Sequence, residues 1–255
     1  MRQSSATNNA SVPAPPLTDY HCHLLPGIDD GPGHLSESVE MARLLACAGY
    51  RAVHCTPHMI HNRYDADNNT VIDIIGETQR ELDREGILLK LLYGREYYLD
   101  EFLLQHLKKP MPLEGTRQLL VEIPPGSIPE FTRDAMSEIL ALGFTIMIAH
   151  PERCPLLGKT ENRPKLTSFF DRLKPSAARI PEPLHTEAGI LEWLIARGCA
   201  FQGNLCSFYG AYGRTAQSNA GRFRAAEIYT CYGTDAHSPE DLKDLPGIVN
   251  RFFHI

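Results

Sequence analysis

The strongest constraint on this chain is a rhythm. Short apolar runs alternate with amphipathic stretches from Leu17 to the C-terminus, and nearly every apolar run ends in a histidine or a carboxylate. Seven runs have strand character: 17–21 (LTDYH), 51–55 (RAVHC), 87–93 (ILLKLLY), 118–123 (QLLVEI), 144–150 (FTIMIAH), 199–204 (CAFQGN) and 228–233 (IYTCYG). Helical spacing fills the gaps. SESVEMARLLACAGY opens on a serine cap, spaces Val39, Leu44 and Leu45 at helical intervals and stops at Gly49; NTVIDIIGETQRELDREG and IPEFTRDAMSEILALGF also close on glycine. Strand followed by helix implies a parallel sheet, and periodicity alone allows either an open doubly wound sheet or a closed barrel. The polar strand ends decide between them. His21 and His23, His54 and His58, Glu96, Glu122, His150, and Asp235 with His237 would lie in a line on an open sheet. A closed barrel gathers so many C-terminal strand ends around one pit.

At 255 residues the chain fits one barrel or two small domains, and 43% apolar with 22% charged residues supplies a core without staples. Its 25 basic against 31 acidic residues give a net charge of -6, which argues against a nucleic-acid binder. Seven cysteines, an odd number with no Cys-x-x-Cys pair, read as reduced thiols and predict a cytoplasmic protein. No apolar window reaches the length of a membrane span, and the polar, proline-ended lead carries no export signal. Residues 1–16 are expected to be a disordered tail, with a single domain over 17–255. The basic, proline-punctuated stretch 155–183 reads as an insertion on the rim, either a loop with one short helix or a lid or partner-docking element.

Residues two apart on a strand share a face, so His21 and His23 can grip one ion while Cys22 points the other way. Asp235 and His237 repeat that spacing. One His-x-His pair is weak evidence, because strand histidines also pack or hydrogen-bond; two pairs together with TPH, GRE and AHPER point to a metal centre. Imidazoles mixed with carboxylates, and no thiolate cluster, suit Mn, Fe, Co or Zn ions in a catalytic site. The ligand count implies a polynuclear site, whose chemistry suits phosphoester hydrolysis. Arg153, three residues after His150, either holds a phosphoryl oxygen or makes a surface salt bridge. Cys154 follows it, but the phosphate-cradling loop of a cysteine phosphatase is missing.

DYHCHLLPGIDDGP, CTPH, GREYY, VEIP, IAHPER, QGNLCSFYGAYG and GTDAH, in order from Asp19 to about Pro239, resemble the polymerase and histidinol phosphatase superfamily. Within it they are most similar to the manganese-dependent protein-tyrosine phosphatases of bacterial capsule and exopolysaccharide operons. The resemblance implies a distorted (β/α)7 TIM-like barrel with three metals, expected as Mn2+. His21, His23, Asp235 and a bridging Glu96 would hold the first; Glu96, Glu122 and His150 the second; Asp30, His58 and His237 the third. Arg153 matches the family's phosphate-binding arginine, and Arg153, Asp235 and His237 are the expected catalytic residues. A hydroxide shared by the ions would attack phosphorus in line, on a phosphotyrosine protein such as an autophosphorylating bacterial tyrosine kinase. The chain departs from the family at Met59, where a second histidine is usual, after His237, where SPEDLK offers only Lys243, and in the longer insertion.

A histidinol-phosphatase-like phosphoesterase and a non-catalytic metal-binding regulatory domain are the alternatives; nine filled ligand positions argue against the latter. His34, His61, His106, His185 and His254 read as surface or capping residues, His54 as packing, and Tyr97 and Tyr98 either as local core or as a wall for a ring-shaped substrate. Arg214, Arg222 and Arg224 form a solvated face or a cradle for an acidic phosphopeptide. Three divalent cations would cancel the net charge of -6, so part of the acidity reads as a cation site.

Overall fold

The computed structural model describes residues 16–158 and 189–253. The strands β1 (Leu17–Cys22), β2 (Tyr50–Cys55) and β4 (Lys90–Tyr93) form one parallel ladder in the order β1-β2-β4. A second parallel ladder runs β3 (His58–Met59), β5 (Glu96–Tyr98), β6 (Gln118–Glu122), β7 (Thr145–Ala149), β8 (Ala200–Asn204) and β9 (Cys231–Gly233). All seven expected strands are present, and β3 and β5 are additional.

The helices α1 (Leu35–Cys47), α2 (Asn68–Arg84), α3 (Leu103–His106), α4 (Pro129–Ala141) and α5 (Pro155–Gly158) intervene between strands, with further helices at Ile190–Ala196, Gly213–Ala225 and Leu245–Phe253. Their ends have local causes. The cap of α1 is built at His34 rather than at serine: the Glu37 carboxylate accepts from the backbone N–H of His34 at 3.0 Å and of Gly33 at 2.8 Å. Asp67 caps α2 by accepting from the Thr70 N–H at 2.9 Å. Gly49, Gly86 and Gly143 follow α1, α2 and α4 with φ of 98°, 67° and 81°, which a side chain would disfavour.

Alternation along the strands divides the core. Leu119, Val121, Ile146 and Ile148 pack with Met136 and Ile139 of α4, while Leu120, Met147 and Ala149 turn to the opposite face and meet Leu113. A separate cluster joins Met41 and Leu45 of α1 to Cys22, Val53 and Cys55. Both faces of the central strands are thereby buried, as parallel sheets require.

The single closed sheet expected from the sequence is not what the described residues form. Two open ladders stand in its place, and the interruption has a physical cause. Pro57, which has no N–H to donate, follows β2, and Gly94 follows β4 where an added Cβ would lie 2.7 Å from Leu113 Cδ2. Beyond β9, the Asp235 N–H donates to the His21 carbonyl at 2.7 Å and the His23 N–H donates to the Ala236 carbonyl at 3.0 Å. The expected tail, except Pro16, most of the expected insertion, His185 and His254 lie outside the described residues; Pro155–Gly158 is helical. Among the described residues no helix is long and apolar enough to cross a membrane.

Candidate metal centre

The C-terminal strand ends converge. The nine expected ligands fall into three overlapping groups whose donor atoms lie within 4.8 Å of one another: His23, Asp30, His58 and His237; His21, Glu96, His150 and Asp235; and His58, Glu96 and Glu122. His150 lies beside His21 and Asp235, and His23 reaches towards Asp30 as well as His21.

At the centre, His21 Nε2 and His23 Nε2 are 3.1 Å apart, each 3.2 Å from Glu96 Oε2, and lie 3.3 Å and 3.5 Å from Asp235 Oδ1. His58 Nδ1 is 3.0 Å from the same Glu96 Oε2, and His150 Nε2 is 3.0 Å from Glu96 Oε1. The second nitrogens fix the chemistry of the first. His23 Nδ1 donates to Asp29 Oδ2 at 2.7 Å, His21 Nδ1 to Gln202 Oε1 at 2.9 Å and His237 Nδ1 to the Asp235 carbonyl at 2.9 Å. Each of those partners only accepts, so the proton of the neutral ring sits on Nδ1 and the Nε2 lone pair faces inward. His58 Nδ1 and Glu96 Oε2 are buried with no hydrogen bond. Imidazole nitrogens and carboxylate oxygens crowded this closely, with two of them left without a hydrogen bond, fit cations.

The electrostatics agree. Burial opposes a charge on His21, yet the Glu96 and Asp235 carboxylates outweigh it and lift its pKa to about 9. Burial likewise opposes charge on His23 and is overcome, chiefly by Asp29, so this pKa also rises. Burial works against the Asp235 carboxylate, but His21 and His23 hold it well below the usual range. Glu122, by contrast, is raised by burial and by the Glu96 charge. Contact with the His237 imidazole, helped by the nearby His58, brings Asp30 down to about 2.

His150 and Asp235 both carry left-handed backbone, with φ of 29° and 52°. Such strain in non-glycine residues is held only where the surroundings over-determine it. Arg153 reaches back from the turn after β7 to pair with Asp235 Oδ2, and its guanidinium stacks on Tyr212 at 4.2 Å. Asn204 Nδ2 donates to the same Oδ2 at 3.0 Å.

Four residues of this site were not singled out by the sequence: Asp29, Gln202, Asn204 and Tyr212. Gln202 and Asn204 stand two apart on β8, the spacing that marked the two metal-capable pairs, and that signal was available. Asp29 had none, since only side-chain direction separates it from Asp30. Cys22 is fully buried with its thiol against the Ala236 carbonyl, and Met59 joins the apolar core. His54 stacks on Tyr20 at 5.5 Å, Tyr97 is buried, and burial raises the Cys154 thiol. Lys243 pairs with Glu240, while Arg222 donates to the Gly158 carbonyl and Arg224 lies 4.0 Å over Phe252.

A parallel α/β scaffold whose strand ends gather imidazoles and carboxylates into groups able to hold metal ions defines the class: an α/β protein with a candidate metal centre. The chain belongs to the capsular polysaccharide synthesis family CpsB/CapC, whose model matches residues 17–168. It is 27% identical over 224 residues to the tyrosine-protein phosphatase YwqE of Bacillus subtilis, covering 87% of this chain and 78% of the relative. It is 28% identical over 151 residues to the tyrosine-protein phosphatase CpsB of Streptococcus agalactiae serotype V, covering 58% of this chain and 62% of that one. Crystal structures of YwqE and of CpsB from Streptococcus pneumoniae, described as unique metal-dependent tyrosine phosphatases, include a match with a TM-score of 0.72 at 25% identity, covering 93% of this chain and 86% of the other.

Proposed function

We propose that this chain is a metal-dependent protein-tyrosine phosphatase, acting in the cytoplasm on an autophosphorylating tyrosine kinase of capsule or exopolysaccharide biosynthesis. The observation that carries the reading is the inward convergence of nine nitrogen and oxygen donors beside Arg153. Family membership supports the setting, and seven unpaired cysteines support the compartment.

His21, His23, Glu96, His150 and Asp235 would hold cations in the buried part of the site, and Asp30, His58, His237 and Glu122 would complete the set. Nitrogen and oxygen donors without thiolate favour Mn2+, with Fe, Co or Zn as substitutes. When bound, the ions lower the pKa of water and neutralise phosphoryl oxygens. The protein's own groups do the rest. Asp30, His237 and Arg153 have side chains 43%, 29% and 29% exposed, against at most 1% for His21, His23 and Glu96, so a phosphoryl group has access to these three. Tyr212 holds the guanidinium by stacking, and Asp235 keeps it aimed, so that its fork meets an equatorial oxygen. A phenolate of ordinary pKa about 10 leaves without a strong general acid.

We also read the two ladders as one distorted seven-stranded barrel. Cys55 pairs with Tyr93 and His58 with Glu96 at the same offset along the chain, so β3 and β5 resume β2 and β4 after a gap. The bonds between the residues after β9 and the end of β1 bring the outer strands together.

Phosphate release by Mn2+-supplemented protein tests the reading. Phosphotyrosine peptides should turn over faster than histidinol phosphate, and the reverse order would point to a small-molecule phosphoesterase. Asp235→Ala should lose both bound metal, by elemental analysis, and turnover; undiminished hydrolysis would remove the site as drawn.

A further inference from the structure

Gln202 is fully buried on β8 and carries no charge, yet its amide touches two of the strand ends that form the site. Its Oε1 accepts from His21 Nδ1 at 2.9 Å and from the backbone N–H of His150 at 3.2 Å, which uses both lone pairs of one oxygen. Its Nε2 donates to the Gly203 carbonyl at 2.8 Å, and this fixes which end of the amide faces the histidines. The surrounding chain leaves it no other place. A Cβ at position 233 would lie 3.0 Å from Gln202 Nε2 and 2.7 Å from His21 Cβ, so Gly233 is the gap that lets imidazole and amide pack together. His150, the second donor to this oxygen, is the residue held at φ 29°.

We propose that Gln202 is a positioning residue. By taking the His21 Nδ1 proton and the His150 N–H on one oxygen, it commits His21 to offer Nε2 as its donor atom and pins His150 in the backbone geometry that turns its ring towards Glu96. This rests on the reading of His21 and His150 as metal ligands. A neutral amide fits this task without adding charge to a pit that already holds several carboxylates. A hydrogen-bonding partner behind a ligating imidazole sets both its tautomer and its orientation, and loss of such a partner commonly weakens metal binding by about 10- to 100-fold.

The first test needs no variant. In the full-length protein loaded with diamagnetic Zn2+, long-range 1H–15N correlation should place the His21 proton on Nδ1 and give Nε2 the shift of a coordinated nitrogen. Gln202→Leu should then bind Mn2+ about 10- to 100-fold more weakly by titration calorimetry, with the His21 signals broadened or exchanged between nitrogens in the Zn2+ form. Gln202→Glu keeps an accepting oxygen and should restore the Nδ1–H signal and most of the affinity. A merely space-filling residue would reverse that order, since leucine fills the volume and glutamate adds a buried charge. Wild-type protein that binds Zn2+ with the His21 proton on Nε2, or a leucine variant with unaltered Mn2+ affinity, would overturn the inference alone. Wild-type protein that takes up neither ion overturns the metal reading and this inference with it.

Discussion

Asp19 is fully buried at the start of the His-x-His strand, where Oδ1 accepts from the N–H of His21 at 3.1 Å and of Thr234 at 3.0 Å, and Oδ2 from the Thr234 hydroxyl at 2.6 Å. Burial raises its pKa to about 6 against the pull of these hydrogen bonds. The fold therefore favours the protonated acid: the stability Asp19 contributes is complete below its unfolded pKa near 3.8 and is lost as the pH rises through about 6. At neutral pH the difference amounts to roughly 3 kcal/mol. Asparagine keeps the geometry, with its oxygen taking both N–H groups and its amide donating to Thr234. In urea unfolding of metal-free protein, Asp19→Asn should match wild type near pH 4, gain on it up to about pH 6, and hold that lead above. A variant that instead loses ground over that interval would mean that the hydrogen bonds from His21 and Thr234 outweigh burial and the fold favours the Asp19 carboxylate.

The loop from Leu24 to Gly33 sets two aspartates at different depths: Asp29 inside, bonded to His23 Nδ1 and to the His58 N–H at 3.0 Å, and Asp30 at the open rim. Gly31 makes that possible, because a Cβ there would fall 2.4 Å from the His23 carbonyl, a contact that only backbone movement relieves. Gly31→Ala should cost about 1–3 kcal/mol in denaturant unfolding and weaken Mn2+ binding in calorimetry. Unchanged values in both would show that the loop yields without disturbing the aspartates. The same elements mark the limit of what could be read in advance. The seven expected strands declare themselves by apolar runs that in places extend past the ladder itself, whereas His58–Met59 and Glu96–Tyr98 stand in no such run, although their side chains reach the pit. All nine expected ligands meet in space because period-two pairs and strand-end positions are local properties. How His23 and His150 are turned was not legible, since it depends on Asp29 and Gln202, partners that are six and fifty-two residues away along the chain.

Across the whole molecule, the donors span both ladders: His21 and His23 from β1 or its end, and His58, Glu96, Glu122, His150 and Asp235 from the second ladder or its loops. Under the proposed metal reading, cations shared among them would tie together the two apolar cores that flank the ladders. Chelation should accordingly lower the midpoint of thermal unfolding, and Mn2+ at about 100 times its Kd should restore roughly 2.7 kcal/mol per site, or roughly 5–10 °C at this chain length. A midpoint indifferent to chelator and to Mn2+ would mean that the ladders hold without them. Asp235 adds a consequence of its own, because its carboxylate is divided: Oδ1 faces the imidazoles, while Oδ2 is held by Arg153 and Asn204. Under the proposed metal reading, an oxyanion that draws the guanidinium away would leave more negative charge for the cations, and by reciprocity a firmly held cation would loosen the guanidinium for an incoming oxyanion. One side chain thus couples two affinities, each setting the other.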